Sequence, residues 1–161
     1  MTMFEWLNAH APGFVHLTPE ERRAIGHFTM VWGSLEGVLF QNNATEEKAF
    51  DVARDIASKI VLADFEHHLD YFRHRYLRDE RAEYYFRTLH LSHTGEPRVL
   101  RVLRGEVTYP AEIVGALLLI VYRFRNNLFH GLKWADDIRG QYDNFLHAGD
   151  ILIQVFALRY P

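Results

Sequence analysis

Apolar side chains recur along most of this chain at the three- and four-residue spacing of amphipathic helices. The clearest example follows Thr18, which suits an N-cap because Pro19 falls in the first turn and Glu21 at the capping-box position. Downstream, large apolar residues form one stripe: Ile25, Phe28, Trp32, Leu35 and Leu39. The pattern predicts a helix from residue 18 to about residue 42.

The next segment carries the same periodicity without interruption. Neither proline nor glycine occurs between Thr45, a second helix start, and Gly95. A single helix of that length exceeds the usual range. We therefore expect either a break near residues 63–66 or one unusually long bent helix.

The remaining segments also favour helices. Residues 1–17 read as an N-terminal arm with a short helix over Met3–Ala9, and Ser92–Pro97 as a turn. A short basic helix, a very apolar helix and a last helix follow: 98–104, 110 onward and 142–158. No strand pattern is present. The prediction is an all-α chain, with residues 18–161 forming a single-domain bundle of about five helices.

Composition narrows the class of protein. The chain has 161 residues, 48% of them hydrophobic, which is enough for one domain with a core. It contains no cysteine, so disulfides, thiol catalysis and zinc-thiolate sites are excluded, and a cytoplasmic location is expected. The longest apolar run, at about ten residues, is too short to span a bilayer. The N-terminus lacks the basic and apolar regions of a signal peptide, so no membrane association is expected.

The distribution of arginine raises the question of nucleic-acid binding, and the number of histidines raises the question of metal binding. Arginine supplies 15 of the 18 basic residues, and eight arginines fall between Arg73 and Arg104 against four acids. This stretch is either a solvated, salt-bridged face or a nucleic-acid track. Among ten histidines, Asp64, His67 and His74 could share a helix face. No Glu-x-x-His or His-Glu-x-x-His spacing occurs, so we expect neither a metal nor a cofactor.

The densest group of reactive side chains follows the most apolar run, Ile113–Tyr122. There Arg125 and Asn126 precede His130, and Gly131 offers a helix stop. On a helix Asn126 and His130 share a face, whereas Arg125 and His130 are about 140° apart. Arg125 and His130 can act on one ligand if the helix ends between them, or if a second copy of the chain completes the site.

The pattern Arg125-Asn126-x-x-x-His130 resembles the signature of the HEPN superfamily (higher eukaryotes and prokaryotes nucleotide-binding). These are all-α domains, many of them metal-independent ribonucleases. The likeness covers six residues, and two features accompany it: a core helix before the motif and an earlier helix carrying Trp32-x-x-Leu35-Glu36. The resemblance implies a HEPN-like fold with Arg125, Asn126 and His130 as catalytic residues. Further supporting or RNA-binding positions are expected at Arg123, Asn127, Lys133 and Glu36, the last with a plain surface ion pair as its alternative.

The resemblance also implies an activity and partners. The expected activity is endoribonucleolytic cleavage of RNA by 2′-OH attack in a composite homodimer site, as in toxins or phage-defence effectors controlled by an antitoxin or regulatory protein. Leu132 stands where one toxin subgroup has a tyrosine, so regulation through that tyrosine is not carried over. The alternative is a non-catalytic module that binds a nucleotide, RNA or a partner protein. A purely structural interpretation is that Arg125 and Asn126 satisfy the carbonyls of the ending helix and His130 caps it.

Overall fold

The computed structural model describes residues 1–11, 13–130, 138 and 140–161. The described residues contain helices and connecting turns but no strand. Eight α-helices are present in these ranges: α1 (Met3–His10), α2 (Pro19–Phe40), α3 (Glu46–Asp55), α4 (Glu66–Arg73), α5 (Ala82–Arg87), α6 (Gly95–Leu103), α7 (Pro110–Phe129) and α8 (Tyr142–Arg159). The predicted all-α class is confirmed. None of these helices has both the length and the apolar character needed to cross a membrane.

The start of α2 follows the predicted capping box. The Thr18 hydroxyl accepts a hydrogen bond from the Glu21 amide at 3.1 Å, and the Glu21 carboxylate accepts one from the Thr18 amide at 2.9 Å. The helix ends at Phe40, two residues earlier than predicted. Gln41 and Asn42 both adopt a φ of 55°, which lies outside the helical region and terminates α2.

The long stretch without glycine or proline is divided, as one of the two sequence alternatives requires. Two 3₁₀ turns, Ala57–Lys59 and Leu62–Asp64, separate α3 from α4. Ile56 and Phe65, which flank these turns, are each 1% exposed, so both side chains lie in the core. A π-helical segment, His74–Arg78, then separates α4 from α5. These divisions explain why the described residues contain more helices than the predicted five.

Helix α6 begins earlier than the predicted basic segment. The amide of Gly95 donates to the Ser92 hydroxyl at 3.0 Å, and the Ser92 amide donates to Glu46 of α3 at 3.0 Å. This link between the start of α3 and the residues before α6 allows the helix to form two residues before Pro97.

The centre of the molecule is α7. Residues 113–121 are all buried, as the continuous apolar run predicts. α7 packs against α3, α6 and α8, while α2 packs mainly against α8. The C-terminal half of α7 carries the candidate site, so a rigid helix fixed on three sides positions those side chains.

Candidate functional site

Helix α7 continues through the motif. It ends at Phe129, and the His130 amide caps it by donating to the Asn126 carbonyl at 2.9 Å. The helix is therefore continuous from Arg125 to Phe129, and on an ideal helix positions 125 and 130 would be about 140° apart. Completion of the site by a second copy of the chain stays a prediction. Gly131 lies outside the described residues.

Arg125 is held in a defined position by neighbours from two helices. Its Nη2 lies 3.6 Å from Oε1 of Glu36 on α2, and its Nη1 donates to Oδ1 of Asn126 at 3.0 Å. The guanidinium carbon lies 5.8 Å from the Trp32 ring centre and 5.3 Å from the Phe129 ring centre. Such flanking aromatic rings favour a cation. The structure thus brings together Arg125, Asn126 and Glu36.

Two hydrogen-bond donors beside this contact are unused in the described part of the chain. The Nε atom of Arg125 and the indole Nε1 atom of Trp32 are both buried without a hydrogen-bond partner there. A buried polar group without a partner costs free energy. The arginine side chain remains 29% exposed, so a phosphate can approach it from solvent.

The opposite flank of the motif has a structural role. The Asn127 side-chain amide donates to the Thr88 carbonyl at 2.7 Å, and Arg123 Nε donates to the Leu89 carbonyl at 2.8 Å. Asn127 is fully buried, which excludes direct contact with RNA and leaves the supporting part of its predicted role. Together these bonds fix the turn after α5 against α7.

His130 is exposed at the end of α7, and its ring has no hydrogen-bond partner among the described residues. An imidazole in this setting is accessible for proton transfer with a substrate. Lys133, also predicted as a supporting residue, lies outside the described residues.

The arginine-rich stretch is partly neutralised by acids. Four of its eight arginines lie within 4 Å of a carboxylate in the described chain: Arg73, Arg87, Arg98 and Arg101. A fifth, Arg75, lies 4.2 Å over the Tyr85 ring. These contacts favour the salt-bridged alternative over a continuous nucleic-acid track.

A second cluster was not predicted from the sequence. His67 and His68 of α4 meet His147 of α8, and the Nδ1 atoms of His68 and His147 are 2.7 Å apart. Burial, with smaller contributions from the two neighbouring imidazoles, lowers the pKa of His68 to about 3. Burial also lowers the pKa of His147. The sequence considered His67 with Asp64 and His74, but neither of those belongs to this group. His147 lies 79 positions from His68 in the sequence, so no local sequence pattern indicates that the two side chains meet.

The described structure therefore contains two groups of chemically capable side chains. One joins Arg125, Asn126 and Glu36 near the end of α7, with His130 on another flank of that helix. The other joins three histidines between α4 and α8. In comparisons with known proteins, no family model, no curated protein and no solved structure matches this chain.

Proposed function

We propose that this protein is a metal-independent endoribonuclease with a HEPN-like fold, acting as a homodimer. The observation that carries the proposal is the geometry of Arg125. It is a partly exposed arginine with a buried Nε that has no partner in the described chain, it contacts Glu36 and Asn126, and it lies on the helix that the exposed His130 caps. A phosphate-binding group and a proton-transfer group are the two elements that such a reaction needs.

The proposed reaction is an internal transesterification. The ribose 2′-oxygen attacks the neighbouring phosphorus, the bond from phosphorus to the 5′-oxygen breaks, and the products are a 2′,3′-cyclic phosphate and a 5′-OH end. His130 accepts the 2′-OH proton, and the departing 5′-oxygen takes its proton from solvent. Arg125 binds the scissile phosphate and offsets the charge that develops on its oxygens. Asn126 keeps the guanidinium in place through its hydrogen bond.

A homodimer accounts for the separation of Arg125 and His130. On an ideal helix positions 125 and 130 are about 140° apart, which favours a site that two chains share. A two-fold axis near the end of α7 would supply two arginines and two histidines to a shared groove. An exposed apolar side chain flanks the site: Phe129, whose ring centre lies 5.3 Å from the Arg125 guanidinium carbon, is 54% exposed. Burial of such side chains favours association.

Regulation forms part of the proposal. A ribonuclease with an open site damages its own cell unless it is controlled, so we place this protein among toxins or phage-defence effectors of the cytoplasm. An antitoxin or regulatory protein would act by covering the groove or the dimer face.

The test is RNA cleavage in excess EDTA by the wild type, Arg125→Ala and His130→Ala. Cleavage that survives chelation and is lost in both variants supports the proposal. His93→Ala, which changes an exposed histidine outside the site, serves as the matched control and retains activity. Equal cleavage by all four proteins would identify a contaminating nuclease and overturn the site assignment.

A non-catalytic binding module is the second candidate. It is favoured by the engagement of both terminal nitrogens of Arg125 with Glu36 and Asn126, as a purely structural role requires. A folded, dimeric wild type that cleaves none of several RNAs but binds a nucleotide or RNA would establish this alternative.

A further inference from the structure

Three histidines carried by two separate helices, α4 and α8, form a cluster. One ring nitrogen from each of His67, His68 and His147 lies within 4.8 Å of the others. The rings are in direct contact, with centroids 3.7 Å apart for His67 and His68 and 5.0 Å apart for His68 and His147. Three imidazoles at this separation are a donor set for zinc, copper or nickel.

His68 is not explained by its structural contacts alone. Its side chain is fully buried, yet its Nε2 atom has no hydrogen-bond partner in the described part of the chain. Its Nδ1 faces Nδ1 of His147 at 2.7 Å, a pairing in which only one nitrogen can carry the shared proton. A metal ion that replaces this proton would accept a lone pair from each of the two Nδ1 atoms.

The surroundings orient the cluster and leave it a path to solvent. Tyr71 stacks on His147 with ring centroids 4.1 Å apart, and its hydroxyl donates to Asn144 at 2.8 Å. Two carboxylates, Asp143 and Asp150, act electrostatically on His147 and favour a nearby cation. His67 is exposed, so an ion can enter from its side. Neighbouring groups that fix a ligand ring are typical of metal sites.

We propose that His67, His68 and His147 bind a divalent transition-metal ion, Zn²⁺ being the representative of the class. Zn–N bonds of about 2.1 Å in a tetrahedral site place the nitrogens about 3.4 Å apart. Small ring rotations that widen the 2.7 Å contact and shorten the longer separations reach that geometry. Three protein ligands leave a fourth position for water or another ligand. The ion would join α4 to α8, and the inference is independent of the proposed ribonuclease activity.

The experiment is a calorimetric titration of the metal-free full-length protein with Zn²⁺, followed by Co²⁺ absorption to report the ligand geometry. We expect one class of site in the wild type. His67→Ala and His147→Ala each weaken it by at least about tenfold, since changes merely around a metal already cost that much. His93→Ala is the matched control and binds as the wild type does. Because His67 is exposed, His67→Ala should keep the fold even if a substitution of the buried His68 disrupts it.

Two results would overturn the proposal. The first is a wild type that takes up no stoichiometric Zn²⁺. The second is an affinity that is unchanged in His67→Ala and His147→Ala, or that falls equally in His93→Ala, which would assign the binding to scattered surface histidines. In either case the His68–His147 contact is only a hydrogen bond between two helices. Because no RNA is present, the outcome is separate from any nuclease measurement.

Discussion

The Nη2 atom of Arg125 lies 3.6 Å from the Oε1 atom of Glu36, and this contact joins the C-terminal part of α7 to the C-terminal part of α2. The two side chains are 29% and 23% exposed, so solvent screens the pair and its contribution to stability is small. The ion pair instead fixes the orientation of the Arg125 guanidinium, whose Nε has no hydrogen-bond partner in the described structure.

Glu36→Gln tests that restraint. The amide keeps the shape of the side chain but removes its charge, so Arg125 becomes free to turn away from its phosphate-binding position. We expect cleavage to fall by about ten- to a hundredfold, whereas the free energy of unfolding changes by less than about 1 kcal/mol. Glu83→Gln, which changes an exposed acid paired with Arg87, should leave cleavage unaltered. Full activity in Glu36→Gln would mean that the pair is only a surface contact.

Mixing two inactive variants tests the shared site. In a heterodimer of Arg125→Ala and His130→Ala, one of the two sites receives an intact arginine from one chain and an intact histidine from the other. Random exchange of subunits should therefore restore about a quarter of the wild-type cleavage per total protein. Each variant alone stays inactive. If the mixture is as inactive as its components, although mass spectrometry shows that heterodimers form, Arg125 and His130 of different chains do not cooperate.

Gly115 of α7 lies against Phe50 of α3, and a Cβ atom at this position would overlap the phenylalanine ring. Gly115→Ala should therefore destabilise the protein by about 1–3 kcal/mol in denaturant unfolding. Gly26→Ala is the matched control, since its Cβ would meet nothing within 4 Å. That variant should be neutral or more stable by up to about 1 kcal/mol, because alanine is the better helix former. Equal effects at the two positions would contradict the close packing of α7 on α3.

The burial of Tyr76 predicts that the stability of the protein falls as pH rises in the alkaline range. Burial raises the pKa of its hydroxyl above the usual range, so the folded state favours the neutral form. A raised pKa contributes stability that is complete below the unfolded value of about 10 and is lost as pH rises above it. Relative to Tyr76→Phe, the wild type should lose up to about 1.4 kcal/mol per pH unit above about pH 10. Tyr109→Phe, at an exposed tyrosine, should follow the wild type in urea unfolding across this range. Parallel curves for wild type and Tyr76→Phe would show that the hydroxyl ionises without cost.

Zinc should raise the melting temperature. An ion present at about a hundred times its dissociation constant stabilises the folded state by about 2.7 kcal/mol, which corresponds to about 5–10 °C for a chain of this size. The increase should be absent in His67→Ala and retained in His93→Ala. Chelation would reverse the increase without abolishing the proposed RNA cleavage, so scanning calorimetry and the cleavage assay report on separate sites. An equal increase in both variants would place the zinc elsewhere.

Local sequence predicted the elements whose determinants are close together in the chain. The capping box at Thr18 and Glu21 set the start of α2, and the apolar run identified α7 as the central helix. The end of α2 and the division between α3 and α4 depend on the backbone conformation of Gln41 and Asn42 and on the burial of Ile56 and Phe65, which are tertiary effects.

For the candidate site, sequence alone selected Arg125, Asn126 and His130, because the three stand within one short segment of a single helix. It determined the helical class and the helix carrying the motif, since periodicity and capping are local properties of neighbouring residues. Only the tertiary structure decided that Glu36 contacts Arg125, that Asn127 faces the core, and that His147 meets His67 and His68. Each of these depends on which helices pack together and on their rotation about their axes. Packing of the whole core fixes both quantities, and no local sequence pattern encodes them.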